Sequence, residues 1–212
     1  MLWIAIPGAL LLGKLIYDAV TGDEAPAPRV RTVLESNLER LRRELVQAQG
    51  RRVAVLGQPG AGKSSLLRRM SRNEVTPPPI VGVHTDATSW ADSPGASLLC
   101  RWHDFVFADV PGYDTASHPA DVMLESFPFD GFDAFVLVLR GKLHGADERM
   151  HARLACQGRP VVVVRSFAES LDGPEREAVR RDLQQRLVPG TPLVFASNRS
   201  GEGLQEVLAR LG

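Results

Sequence analysis

Residues 57–64 read Gly57-Gln58-Pro59-Gly60-Ala61-Gly62-Lys63-Ser64, a complete G-x-x-x-x-G-K-S pattern. Glycines at this spacing let the backbone curl so that successive N–H groups face one anion. Lys63 is placed to reach the β- and γ-phosphates of a nucleotide, and Ser64, followed by Ser65, to offer a hydroxyl to Mg2+. Lysine is scarce here, occurring only at Lys14, Lys63 and Lys142, which argues against a chance match. A second chemical element reads Phe105-Val106-Phe107-Ala108-Asp109-Val110-Pro111-Gly112. Its apolar run delivers Asp109 to the tip of a strand, where it can hold Mg2+ through water, and Gly112 can bring a backbone N–H to a γ-phosphate.

This chemistry needs a strand, a loop and a helix in that order, and the flanks supply them. Val53-Ala54-Val55-Leu56 precedes the loop as a β-rich apolar run. Ser65-Leu66-Leu67-Arg68-Arg69-Met70 follows as a helical stretch whose positive end faces the anion. From Arg52 onward the pattern alternates. Strands are expected over 52–57, 97–102, 104–110, 133–139, 160–165 and 192–197, and helices over 63–71, 118–126, 145–156, 174–187 and 202–211. The fold class is therefore α/β, a P-loop domain over 51–212 with a mostly parallel six-stranded sheet between helices. Val161-Val162-Val163-Val164 suits a strand buried on both faces.

The chain has 212 residues and a formal net charge of zero, from 25 basic and 25 acidic side chains. No basic excess points to nucleic acid as a partner. Two cysteines, Cys100 and Cys156, are too few for a disulfide framework or a zinc site. The five histidines show no metal-ligand spacing, so Mg2+ is the only metal expected.

The first twenty residues differ from the rest. Leu2 to Val20 carries only Lys14 and Asp18 as charges, and nineteen helical residues span about 28 Å, close to a bilayer's hydrocarbon thickness. An N-terminal hydrophobic helix over 1–20 is thus expected as a single-pass membrane anchor. Arginines at 29, 31, 40, 42 and 43 would keep the body of the protein on the cytoplasmic side. Pro7, Gly8, Gly13 and Lys14 weaken such a span. A linker and an amphipathic helix occupy 21–50. There Val30, Val33, Leu34, Leu38, Leu41, Leu45 and Val46 recur at helical spacing, to pack on the next domain or pair with a second copy.

With both motifs in view, G-x-P-G-x-G-K-S-S followed by D-V-P-G-Y, residues 51–212 resemble the Era-like GTPases of the translation-factor class. The local texture is also similar to the immunity-related branch. The resemblance implies GTP or GDP as ligand with Mg2+. It also implies a switch threonine that binds Mg2+ and the γ-phosphate, best matched by Thr88 in Gly82-Val83-His84-Thr85-Asp86-Ala87-Thr88, with Thr85 and Thr76 as lesser candidates. In the family, base recognition comes from [NT]-K-x-D after the fifth strand, the Lys packing along the ring and the Asp accepting from guanine. Here Ser166-Phe167-Ala168-Glu169 stands in that place: Phe167 replaces the Lys and Glu169 the Asp. Ser197 and Asn198 resemble the loop that meets the guanine O6 through backbone N–H.

The same resemblance marks what is missing. Tyr113 stands where many relatives carry a water-orienting Gln, and Gly60 where some carry an Asn that binds K+. Asp114 and His118 are the remaining candidates nearby. Slow intrinsic hydrolysis follows, with catalytic roles for Lys63 and Thr88 and further help from a second copy or an activating protein. The switch loops would be 76–95 and 112–120. The expectation is a membrane-anchored, GTP-binding switch or assembly factor. The alternatives are a nucleotide-binding scaffold without turnover and a P-loop ATPase or kinase.

Overall fold

The structure, a computed structural model, describes residues 31–80 and 89–212. Thr32–Gly212 forms one compact unit. Its strands are β1 (Arg51–Leu56), β2 (Cys100–Trp102), β3 (Phe105–Asp109), β4 (Ala134–Leu139), β5 (Val161–Arg165) and β6 (Leu193–Phe195), in spatial order β2-β3-β1-β4-β5-β6. Only the edge pair β2–β3 is antiparallel; the other four pairings are parallel. This is the expected α/β sheet. The outer strands are shorter than the sequence suggests: 97–99 stay outside β2, and β6 holds three residues.

Alternation along the strands divides the core. Val53, Val55, Phe107, Val136, Val138, Val162 and Val164 belong to one apolar cluster. It packs beneath helices α2 (Lys63–Met70) and α6 (Leu204–Leu211). Ala54, Leu56, Ala108, Phe135, Leu137 and Leu139 belong to the other. That cluster includes residues of α1 (Val33–Gln47), α3 (Ala120–Ser126), α4 (Gly145–Ala155) and α5 (Gly173–Arg186).

Helix α1 begins in a capping box, Thr32 accepting from the Glu35 N–H while the Glu35 carboxylate accepts from Thr32 N. Leu34, Leu38, Leu41 and Leu45 bury one stripe in the core of the domain, so this helix packs in cis. Val46, counted with the apolar face from the sequence, is 84% exposed. Between the leucines, buried Asn37 donates to the carbonyls of Trp90 (2.7 Å) and Ser93 (2.9 Å).

The expectation of a single-pass membrane location requires correction. Among the described residues no helix is long and apolar enough to cross a membrane. The segment 1–20, on which the expectation rested, lies outside the described residues.

Candidate functional site

Five parallel strands end at the same edge of the sheet, and β1 lies where the order switches between β3 and β4. That is where open α/β sheets bind ligands. The loop 57–62 leaves β1 and enters α2 through Gly62, which takes a left-handed φ of 92°. Gly57 at φ 147° runs so close to β4 that a Cβ there would strike the Val138 carbonyl. At Gly57 the loop is therefore held directly against the sheet.

Lys63 is the first residue of α2. The sequence suggests a solvent-facing loop lysine; instead its side chain is buried, with Nζ donating to the carbonyls of Gly57 (2.9 Å) and Gln58 (3.1 Å). The ammonium thus lies across the mouth of its own loop. Ser64 Oγ donates 2.6 Å to Oδ2 of Asp109, the last residue of β3. The second carboxylate oxygen, Oδ1, is buried with no hydrogen-bond partner. Burial raises the Asp109 carboxyl above the ordinary carboxylate range, opposed by the Ser64 hydroxyl and the Lys63 charge. Two adjacent hard oxygen donors, one with an orphaned lone-pair set, suit Mg2+, which takes few protein ligands and completes its shell from water and phosphate. Gly112 meets this group as well: a Cβ on it would lie 2.5 Å from the Pro59 ring. Only glycine lets the 109–112 segment close on the phosphate loop.

At the other end of the loop, Ser166 is buried and its hydroxyl donates to the carbonyls of Ala61 (2.7 Å) and Leu139 (3.0 Å). It ties the end of β5 to the loop. Phe167 follows in a left-handed conformation (φ 55°) that opens a short 3-10 turn, Ala168–Ser170. The half-buried Phe167 ring and Asn198 both flank Gly62: a Cβ there would sit 3.5 Å from Phe167 Cε2 and 3.2 Å from Asn198 Nδ2. Asn198 Nδ2 also approaches the Gly62 carbonyl at 3.4 Å. Glu169 is exposed, its carboxyl held below the usual range first by the Ser197 hydroxyl and then by its own backbone N–H. Ser197 Oγ in turn accepts from the N–H groups of Arg199 (3.2 Å) and Ser200 (3.1 Å). Residues drawn from β1, β3, β5 and β6 thus converge on one loop.

The sequence family described as "50S ribosome-binding GTPase" matches residues 52–166. The chain belongs to this GTPase family. Membership implies guanine-nucleotide binding. The GTPase Der of Deinococcus deserti is 30% identical over 172 residues, which cover 74% of this chain and 36% of that protein. The GTPase Der of a Sulfurihydrogenibium species is 28% identical over 173 residues, 76% of this chain and 37% of that protein. The chain therefore spans just over a third of the length of these curated relatives. Among solved structures, Aquifex aeolicus Era bound to GDP·AlF4− aligns with a TM-score of 0.55 at 18% identity, over 76% of this chain and 56% of that one. The probable GTP-binding protein EngB aligns with a TM-score of 0.55 at 15% identity, over 76% of this chain and 96% of that one. The last two likenesses are of fold. The immunity-related branch is not shown by these comparisons.

Thr88 and Thr85 lie outside the described residues. Thr76 is bridged to Arg101 at the sheet edge by two backbone hydrogen bonds of 2.9 and 2.7 Å. Tyr113 is fully buried, its phenol donating 2.7 Å to Asp147 Oδ1, and burial first, then the Asp147 charge, keeps that phenol protonated. Asp114 adopts φ 67° and lines a cleft of about 320 Å3 with Gln58, Pro59, Arg140 and His144. His118 is interior, with Nδ1 3.1 Å from Ser117 Oγ. Arg140 was not among the candidates read from the sequence. The signal for it was its position, the first residue past the carboxyl end of an apolar parallel strand.

Proposed function

We propose that this G domain binds GTP with Mg2+ and hydrolyses it slowly, acting as a nucleotide-dependent switch or assembly factor. The observation that carries the reading is the Lys63–Ser64–Asp109 group. An ammonium is poised on the loop carbonyls, and a hydroxyl is paired at 2.6 Å with a carboxylate that keeps one oxygen unsatisfied. On nucleotide binding, Lys63 would exchange its carbonyl partners for phosphate oxygens, and the loop N–H groups would surround the β-phosphate. Ser64 and Asp109 would hold Mg2+, which when bound would supply positive charge to offset that of the phosphates. Gly112, already against Pro59, would offer its N–H to the γ-phosphate, and Thr88 would complete the metal shell. Phe167, Glu169, Ser197 and Asn198 would form the base pocket, and Ser166 would position the loop. In this reading Lys63 and Thr88 are the catalytic residues.

Hydrolysis is slow in this proposal because Tyr113 is buried on Asp147 and cannot orient a water. Asp114, which lines the cleft beside Gln58 and Pro59, is the candidate for that task. The same observation favours a second reading, a scaffold that binds nucleotide without turning it over. An activating protein or a second copy would then be the source of catalytic power, or absent altogether. Equilibrium titration of fluorescent GDP and GTP, with and without Mg2+, tests the binding. Single-turnover hydrolysis separates the two readings: release of phosphate from protein-bound GTP above the solution rate supports a GTPase, and none supports the scaffold.

A further inference from the structure

Replacing the lysine of the fourth motif by Phe167 removes a cation from the base end of the site. The fold brings another to the same place. Leu139 pairs with Arg165 in the β4–β5 register, and Ser166 N–H and Oγ both donate to the Leu139 carbonyl. The residue after Leu139 is therefore set beside the residue after Ser166. There the exposed Arg140 guanidinium lies over the Phe167 ring, 4.5 Å from its centroid, and its Nη1 is 3.4 Å from the Gly60 carbonyl. No carboxylate pairs with it among the described residues. Arg165, buried behind it, has its guanidinium pushed down first by burial and then by the Arg140 charge. A positive charge beside a second one, stacked on an aromatic and facing the phosphate loop, suits an anion that carries a flat ring.

We infer that Arg140, carried on the end of β4, supplies the cation that the turn after β5 lacks, and with Phe167 forms the wall of the nucleotide site against which the base and ribose lie. This rests on the guanine-nucleotide reading above. The guanidinium keeps the half-buried ring in its left-handed turn and adds positive potential from the base end toward the Gly60 end of the loop. The cation is planar and stacked rather than a flexible ammonium, so the wall is stiffer than a lysine would make it.

The test is titration of fluorescent GDP and GTP, in the presence of Mg2+, into the full chain and three variants. Arg140→Ala is expected to weaken both nucleotides about tenfold, Arg140→Lys to weaken them less, and Arg140→Ala/Phe167→Lys to regain most of the affinity, because the cation returns from the other strand. Melting of the nucleotide-free variants checks that the fold survives, as expected for an exposed side chain. Unchanged affinity in Arg140→Ala overturns the inference. So does a loss confined to GTP, which would put Arg140 on the γ-phosphate, or a double variant as weak as Arg140→Ala. A parent chain that binds neither nucleotide would instead overturn the functional reading itself.

Discussion

Lys63 and Asp109 each give up something in the nucleotide-free protein. The Lys63 ammonium is buried on two carbonyls, so Lys63→Ala removes a charge and leaves Gly57 and Gln58 without a donor. The expected result is a weakening of GTP binding by roughly 10- to 150-fold, the worth of charge-assisted hydrogen bonds, with a loss of about 1 kcal/mol in stability. Titration and urea unfolding of the same variant read the two effects separately. Asp109 is held above the ordinary carboxylate range by burial. A carboxyl whose folded pKa is raised contributes its full stability below its unfolded value and loses it as pH rises through the folded value. Asp109→Asn keeps the neutral form at all pH. The nucleotide-free variant should therefore melt higher than the parent near roughly pH 8, with the difference closing toward about pH 4, while Mg2+-dependent binding is lost. A variant that melts lower at alkaline pH would contradict this. Both residues were legible in the sequence because loop and strand chemistry fixes them locally. The burial of Lys63 was not, because its partners are carbonyls, which no side-chain pattern reports.

The elements around the site hold the ends of the two loops proposed as switches. Asn37 on α1 holds the Trp90 and Ser93 carbonyls, at the far end of the 76–95 loop. Tyr113 ties the start of the 112–120 loop to Asp147, whose other oxygen accepts from His144 N at the head of α4. The periodicity of α1 was plain from its leucines, but its partner was not, since the stripe would serve a second copy as well as its own sheet. The role of Tyr113 was hidden for the same kind of reason: the motif position suggests a residue facing the nucleotide, while an aromatic ring gains more by burial. The packing of α1 can be tested by contrast. Leu41→Ala should cost about 2–5 kcal/mol in denaturant unfolding, as for a core leucine. Val46→Ala, on the exposed side of the same helix, should change stability by less than about 0.5 kcal/mol. Comparable losses from both would mean that the exposed side is also covered, by a second copy, and the unfolding midpoint would then depend on protein concentration.

At the scale of the whole G domain, Phe167 and Glu169 stand where the family carries Lys and Asp, and its nucleotide preference decides whether the proposed base pocket works. Glu169 is exposed, and the Ser197 hydroxyl helps keep it ionised, so it can only accept hydrogen bonds. Guanine presents two N–H groups to such an acceptor, at N1 and the 2-amino position. Adenine presents an unprotonated N1, and two acceptors facing each other leave a polar group unpaired, the error that binding sites discriminate against most strongly. GTP and GDP at about a hundred times their Kd should stabilise the chain by about 2.7 kcal/mol. For a domain of this size that is a rise of about 5–11 °C in Tm. ATP at the same concentration should give a much smaller shift. Glu169→Ala should narrow the gap between GTP and ATP chiefly by lowering the GTP shift, because it removes the acceptor and leaves the phosphate loop intact. Equal shifts for ATP and GTP in the parent chain would mean that an exposed glutamate, one methylene longer than the family's aspartate and free to swing into water, does not hold the base edge. The site would then be a triphosphate cradle without base selectivity.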